Sequence, residues 1–130
     1  MHRSVGAVIK KDGKILMLDR ANFPFGWACP AGHVEDEEEP EQALAREAKE
    51  EVGIDVRKYK LILHEFIEWN ECKRGAKGHD WFVYEVSDWS GGIRGNFESK
   101  GLKWIGEDEI KNMQLEPVWE HFHKKLDLFK

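Results

Sequence analysis

Hydrophobic and polar positions set out most of the elements along this chain. Ser4 to Lys10 places Val5, Ala7 and Ile9 on one side, a two-residue period that predicts a strand. The polar Lys11-Asp12-Gly13-Lys14 interrupts it as a turn, and Ile15 to Asp19 is a second strand, so the chain opens on a hairpin. Ala21 to Phe25 is a loop, followed by Gly26-Trp27-Ala28-Cys29-Pro30. The period then changes: Leu44, Ala48 and Val52 recur every four residues, which predicts a helix with one face on a core. Pro40 suits its first turn, and Gly53 suits a left-handed stop. Lys60 to Trp69 is a long strand, Asn70 to Gly78 a polar loop carrying Lys73, Arg74 and Lys77, and His79 to Val86 a further strand. Asp88 to Gly95 is turn-rich, Leu102 to Ile105 a short strand, and Glu107 to Met113 a helical turn or short helix. Pro117 starts a last helix with Val118, Trp119, Phe122, Leu126 and Phe129 as its apolar set. Strands interleaved with two or three helices give an α/β class, and without a linker or repeat residues 1–130 form one domain.

Composition narrows this little. The length allows one real core. Two cysteines, Cys29 and Cys72, make no disulfide framework and read as reduced thiols in a cytoplasmic protein. Cys29 and His33 are four apart, but Pro30 and Gly32 break any helix between them, so packing rather than zinc accounts for both. The N-terminus turns polar too early for a signal peptide, and no apolar run approaches the ~20 residues of a membrane span. The net charge of −5 disfavours a nonspecific nucleic-acid surface, so no stable nucleic-acid complex is expected. Association as a homodimer is left open.

Between Gly32 and Ile54, nine acids face two bases, a balance of −7, which leaves the rest of the chain at +2. Glu47, Glu50 and Glu51 stand at i, i+3 and i+4 and project from one helix face. Like charges so placed cost a few tenths of a kcal/mol per pair. A hard divalent cation such as Mg²⁺, which takes carboxylate, water and phosphate oxygens, reverses that sign. The plain alternative is a solvated acidic helix face, and charge by itself favours it.

Spacing tips the balance. Gly32, five residues, Glu38, seven residues, then Arg46-Glu47-Ala48-Lys49-Glu50-Glu51-Val52-Gly53-Ile54 occupy every fixed position of the Nudix box. The chain thus resembles a Nudix hydrolase, although Ala31 stands where relatives often carry glycine. The resemblance implies an α/β/α sandwich around a mixed sheet, with the box as a loop–helix–loop. It also implies hydrolysis of a nucleoside diphosphate linked to another group. The cofactor implied is Mg²⁺ or Mn²⁺, and the partner is a small-molecule nucleotide. Helical spacing and the family pattern together assign Glu47, Glu50 and Glu51 as metal ligands. Arg46 and Glu38 fit an orienting pair, whose plain alternative is a surface ion pair worth under about 1 kcal/mol. Gly32 permits a close backbone approach to metal or phosphate. Phe25 and Trp27 are candidate substrate contacts, with core packing an equal explanation, and the basic loop from Asn70 is either a phosphate contact or an exposed hairpin end.

The general base varies in position within the family. Glu98, in a polar stretch ahead of a Trp-bearing strand as in many relatives, is the leading candidate, with a solvated loop residue the plain alternative; Glu50, Glu51 or His79 stand behind it. Three classes compete: a hydrolase of this kind, an isomerase of prenyl diphosphates, and a regulatory module that has lost catalysis. The intact box counts against the last two. Within the first, the signatures of NADH and ADP-ribose hydrolases are missing, and small size favours a mutator-type nucleoside triphosphate pyrophosphohydrolase. The Pro30-Ala31-Gly32-His33-Val34-Glu35 run resembles dinucleoside polyphosphate hydrolases, the alternative substrate group.

Overall fold

The spine of the fold is β1 (His2–Lys11), which is paired along both edges and buried on both faces from Ser4 to Ile9. The computed structural model describes residues 2–69, 78–95 and 99–130. On one edge β1 runs parallel to β6 (His79–Ser90), from His2 opposite His79 to Ile9 opposite Val86. On the other, its first half pairs antiparallel with β4 (Ala31–His33) and its last residues with β2 (Lys14–Arg20). Asp12 and Gly13 both have positive φ, as the tight hairpin between β1 and β2 requires. β2 pairs in turn with β3 (Trp27–Ala28) and β7 (Ser99–Ile105), and β6 with β5 (Asp55–Ile67). The result is one mixed seven-stranded sheet in the order β3-β2-β1-β6-β5, with β4 beside β1 and β7 beside β2.

Alternation along β1 divides the core in two. Val5, Ala7 and Ile9 join Leu44, Ala48, Val52 and Ile54 under α1 (Pro40–Val52). Val8 joins Trp81, Trp119 and Phe122 on the other face, under α2 (Glu107–Ile110) and α3 (Pro117–Leu126). The α/β class and the helix–sheet–helix layering follow.

Several predicted boundaries move. β5 begins at Asp55 rather than Lys60, because as an edge strand it carries Arg57 and Lys58 toward solvent and no apolar run marks its start. β6 continues to Ser90 through the segment expected to turn, since Asp88, Trp89 and Ser90 still pair with β5. β3 and β4 are too short for any period to register. β7 begins at Ser99, and the short helix stops at Ile110. α3 ends at Leu126, and Phe129 reaches the core from beyond it. The loop expected over Asn70–Gly78 lies, up to residue 77, outside the described residues, as does Cys72.

Candidate active site

The acidic helix is tied to the strand before it by one arginine and three consecutive backbone positions. α1 starts at Pro40, where the Gln42 side chain accepts the Glu39 N–H at 2.8 Å, and it stops at Gly53, whose φ of 79° turns the chain left-handed. Arg46 stands in its middle. Nε and Nη2 donate to the two oxygens of Glu38, each at 2.9 Å, a fork-to-fork pair. Nη2 also donates to the His33 carbonyl at 2.8 Å, and Nη1 donates to Glu47 at 2.8 Å and toward Glu50 at 3.4 Å. Glu38 is pinned from its other side by the Glu35 N–H at 2.9 Å. The Arg46 hydrogen bonds hold the Glu38 carboxyl below the usual carboxylate range, and the Glu38 carboxylate raises the guanidinium in turn. A bidentate pair fixed at both ends is the geometry that lifts an ion pair above the small worth of a surface contact.

β4 supplies the rest. The Ala31 N–H donates to Glu51 Oε2 at 3.0 Å, and Glu51 is 7 % exposed, so a buried carboxylate is oriented by backbone. At Gly32 the Glu47 carboxylate occupies the space a Cβ would fill, so the close approach expected here is made by the helix's own glutamate. The His33 carbonyl anchors Arg46. Ala31 lies in a regular strand with no left-handed turn, so the departure from glycine there costs nothing visible.

Glu47, Glu50 and Glu51 thus share one helix face beside β4, with the Glu50 side chain 56 % exposed and the Glu47 side chain 14 %. Their oxygens are the hard donors that Mg²⁺ or Mn²⁺ prefers, and Arg46 Nη1 lies between Glu47 and Glu50. The fit lies in donor type and spacing: among the described residues no three His, Cys, Asp or Glu side chains form a ready-made ligand cluster.

The other candidates are scattered. Phe25 is 55 % exposed and meets Phe23 edge-on at 6.2 Å, leaving both rings open. Trp27 packs partly buried against the core under α3, and its backbone is tied by its N–H to the Gln114 carbonyl and by its carbonyl to the Glu116 N–H, each at 2.9 Å. Glu98 lies outside the described residues. His79 is buried on the sheet face turned away from α1, packed near Trp81. Cys29 is buried, and burial with the nearby Glu116 pushes its thiol up, so it stays protonated.

The motif could not reveal the backbone half of this arrangement, because a donated N–H leaves no trace in residue type. It also could not reveal the side chain of Glu116, the N-cap residue of α3, which is 5 % exposed and makes no capping hydrogen bond through its carboxyl; burial raises that carboxyl to about 7 against the opposing pull of Arg20. In sequence, Glu116-Pro117 reads as an ordinary helix start.

Known proteins share the sequence family and the fold. The NUDIX domain model matches residues 1–127. A MutT-like protein of Streptomyces ambofaciens is 31 % identical over 111 residues, covering 85 % of this chain and 67 % of its own length. The ADP-ribose pyrophosphatase of Methanocaldococcus jannaschii is 37 % identical over 91 residues, 68 % of this chain and 52 % of its own length, so the chain spans about half of that relative. The MutT NUDIX hydrolase from Burkholderia pseudomallei superposes with a TM-score of 0.83 at 26 % identity, over 96 % of this chain and 97 % of that one.

Proposed function

The chain belongs to the NUDIX family, and we propose that it is a mutator-type member, converting nucleoside triphosphates to monophosphate and pyrophosphate with Mg²⁺ or Mn²⁺. It is a Nudix pyrophosphohydrolase acting on nucleoside diphosphate derivatives; the triphosphate preference, the ion and the residue roles are our reading. We take residues 1–130 as one catalytic domain. The observation that carries the proposal is the Arg46 hub, which gathers Glu38, Glu47 and Glu50 while β4 turns Glu51 to the same side.

A diphosphate bridge resists water because both the attacking oxygen and the leaving phosphate meet negative charge, so catalysis rests on positioning and neutralisation. Glu47, Glu50 and Glu51 would hold the cation, which supplies charge neutralisation to the phosphates and Lewis acidity toward water. Arg46 and Glu38 keep Glu47 and Glu50 in place rather than touching substrate. The open rings of Phe23 and Phe25 offer a base a stacking surface. Glu98 is our candidate base: Glu98→Gln should lower kcat by roughly 10²- to 10⁴-fold with little change in KM. If that variant turns over near normally, Glu50 or Glu51 takes the role.

The test is a panel of canonical and oxidised (d)NTPs, dinucleoside polyphosphates, ADP-ribose and nucleotide sugars, with products separated by chromatography. Pyrophosphate from triphosphates as the best reaction is expected. Faster cleavage of dinucleoside polyphosphates, which the Pro30–Glu35 run favours, would replace the first reading with the second. No turnover of any member would leave a regulatory module.

A further inference from the structure

Three imidazoles meet on the sheet face turned away from α1. The ring centroids of His2 and His33 are 5.7 Å apart, those of His2 and His79 5.8 Å, and those of His33 and His79 5.1 Å. Register brings them together: His2 lies opposite His79 across β1–β6, and Ser4 opposite His33 across β1–β4. His79 is 2 % exposed, its Nδ1 is 2.8 Å from Ser4 Oγ, and its Nε2 is buried with no hydrogen-bond partner among the described residues.

That asymmetry selects a tautomer. A bare lone pair at Nε2 is tolerable, whereas a buried N–H there would be an unsatisfied donor at a cost of about 1–3 kcal/mol. The proton therefore belongs on Nδ1, donating to Ser4. A second proton can add only at Nε2, where it creates the unsatisfied donor and a positive charge together. The surroundings offer that charge little. β1 presents His2, whose charge opposes it; β4 presents His33; β5 presents the apolar Ile67 across the ladder; β6 presents Trp81, which packs on Phe122 of α3. The acids Glu35, Asp36 and Glu37 stand across a cavity of about 410 Å³ from His2, Arg3 and His33, and no carboxylate among the described residues bonds to His79. Burial, with His2 adding to it, accordingly holds the His79 ring below the ordinary imidazole range.

What the cluster touches gives this weight. β4 lies between it and α1, and each of its three residues serves the acidic helix: Ala31 N–H for Glu51, Gly32 for the seat of Glu47, and the His33 carbonyl for Arg46. We propose that His79 is a positioning residue for the active site: uncharged, it holds β4 through Ser4 and the His33 ring, and on protonation it releases β4, so that Arg46, Glu47 and Glu51 lose their anchors together. Activity then has an acid limb set from the opposite face of the sheet.

The test is an NMR titration of the full chain from about pH 8 to pH 5, following the His79 ring and the Ala31, Gly32 and His33 amides. A shared midpoint below the free imidazole value of about 6.5 is expected. His79→Asn keeps a donor toward Ser4 and cannot charge; its β4 amides should lose that step, and the acid limb of kcat should move down by about half a pH unit or more while KM at neutral pH holds. β4 amides without a step at the His79 midpoint, or an unchanged step in His79→Asn, would overturn the proposal. If His79→Asn does not fold, the wild-type titration decides by itself. The proposal rests on reading α1 as the active site, but the NMR arm needs no substrate, so loss of the functional reading would be seen separately.

Discussion

α1 and α3 cover opposite faces of one sheet and are held there by different forces. α3 is seated by area: Val118, Trp119 and Phe122 are fully buried, and Trp81 meets the last two edge-on at 6.0 and 5.3 Å. Its polar ties are at the rim, where Glu65 accepts from His121 and Lys125. α1 also buries Leu44, Ala48 and Val52, but directed hydrogen bonds through Arg46 and β4 fix which way its polar face points. Apolar burial is strong and non-directional, whereas charge-assisted hydrogen bonds are weaker in net terms and specify angles. A helix that only has to cover a core can rely on the first; a helix that must aim carboxylates needs the second.

The contrast can be broken from either side. Trp119→Ala should cost about 3–5 kcal/mol of stability in urea unfolding, the range for emptying a large aromatic site, while the molecules that remain folded keep normal kcat. A fall in kcat beyond the folded fraction would mean that α3 also aims the site. Glu51→Gln should do the reverse: turnover falls by about 10²- to 10³-fold, yet the melting temperature barely moves because the carboxamide oxygen can still accept from Ala31. Activity within a few-fold of wild type would remove Glu51 from the ligand set. Millimolar Mg²⁺ or Mn²⁺ should raise the melting temperature, by the equivalent of about 2.7 kcal/mol at a hundredfold excess over Kd. Trp119→Ala should gain the same increment, and Glu51→Gln less. A melt indifferent to both ions in the wild type would count against a cation on this face. Smallest, Arg46→Lys keeps the charge but loses the fork, and should lower kcat about 10- to 100-fold with little change in stability. Equal activity would reduce the hub to a surface ion pair.

The same contrast explains what could be read in advance. The hairpin, α1, β6 and α3 were legible because their apolar positions repeat at 2 or at 3.6, and both helices carry proline at the start. The acidic helix face was legible because Glu47, Glu50 and Glu51 announce it by residue type at helical spacing. β4 was not: three residues carry no period, and its service to α1 passes through an N–H, a carbonyl and a missing side chain. The start of β5 was hidden because an edge strand can be polar on its open side. Glu116 and the His2–His33–His79 cluster depend on residues far apart in the chain meeting across strands, which a single sequence does not encode locally.

β4 also makes a statement about mutational tolerance. Ala31 serves α1 through an N–H that every residue but proline supplies, and His33 through a carbonyl that every residue supplies, so α1 places no demand on their side chains. Gly32 serves it by having none, and any Cβ there meets the Glu47 carboxylate. In a saturation scan of these three positions scored for turnover, the acidic helix should therefore exclude every side chain at Gly32 and only proline, which lacks the N–H, at Ala31. Should the outer two prove restricted, the restriction would come from the opposite face of the sheet, where Ala31 meets the aromatic core and His33 meets His79.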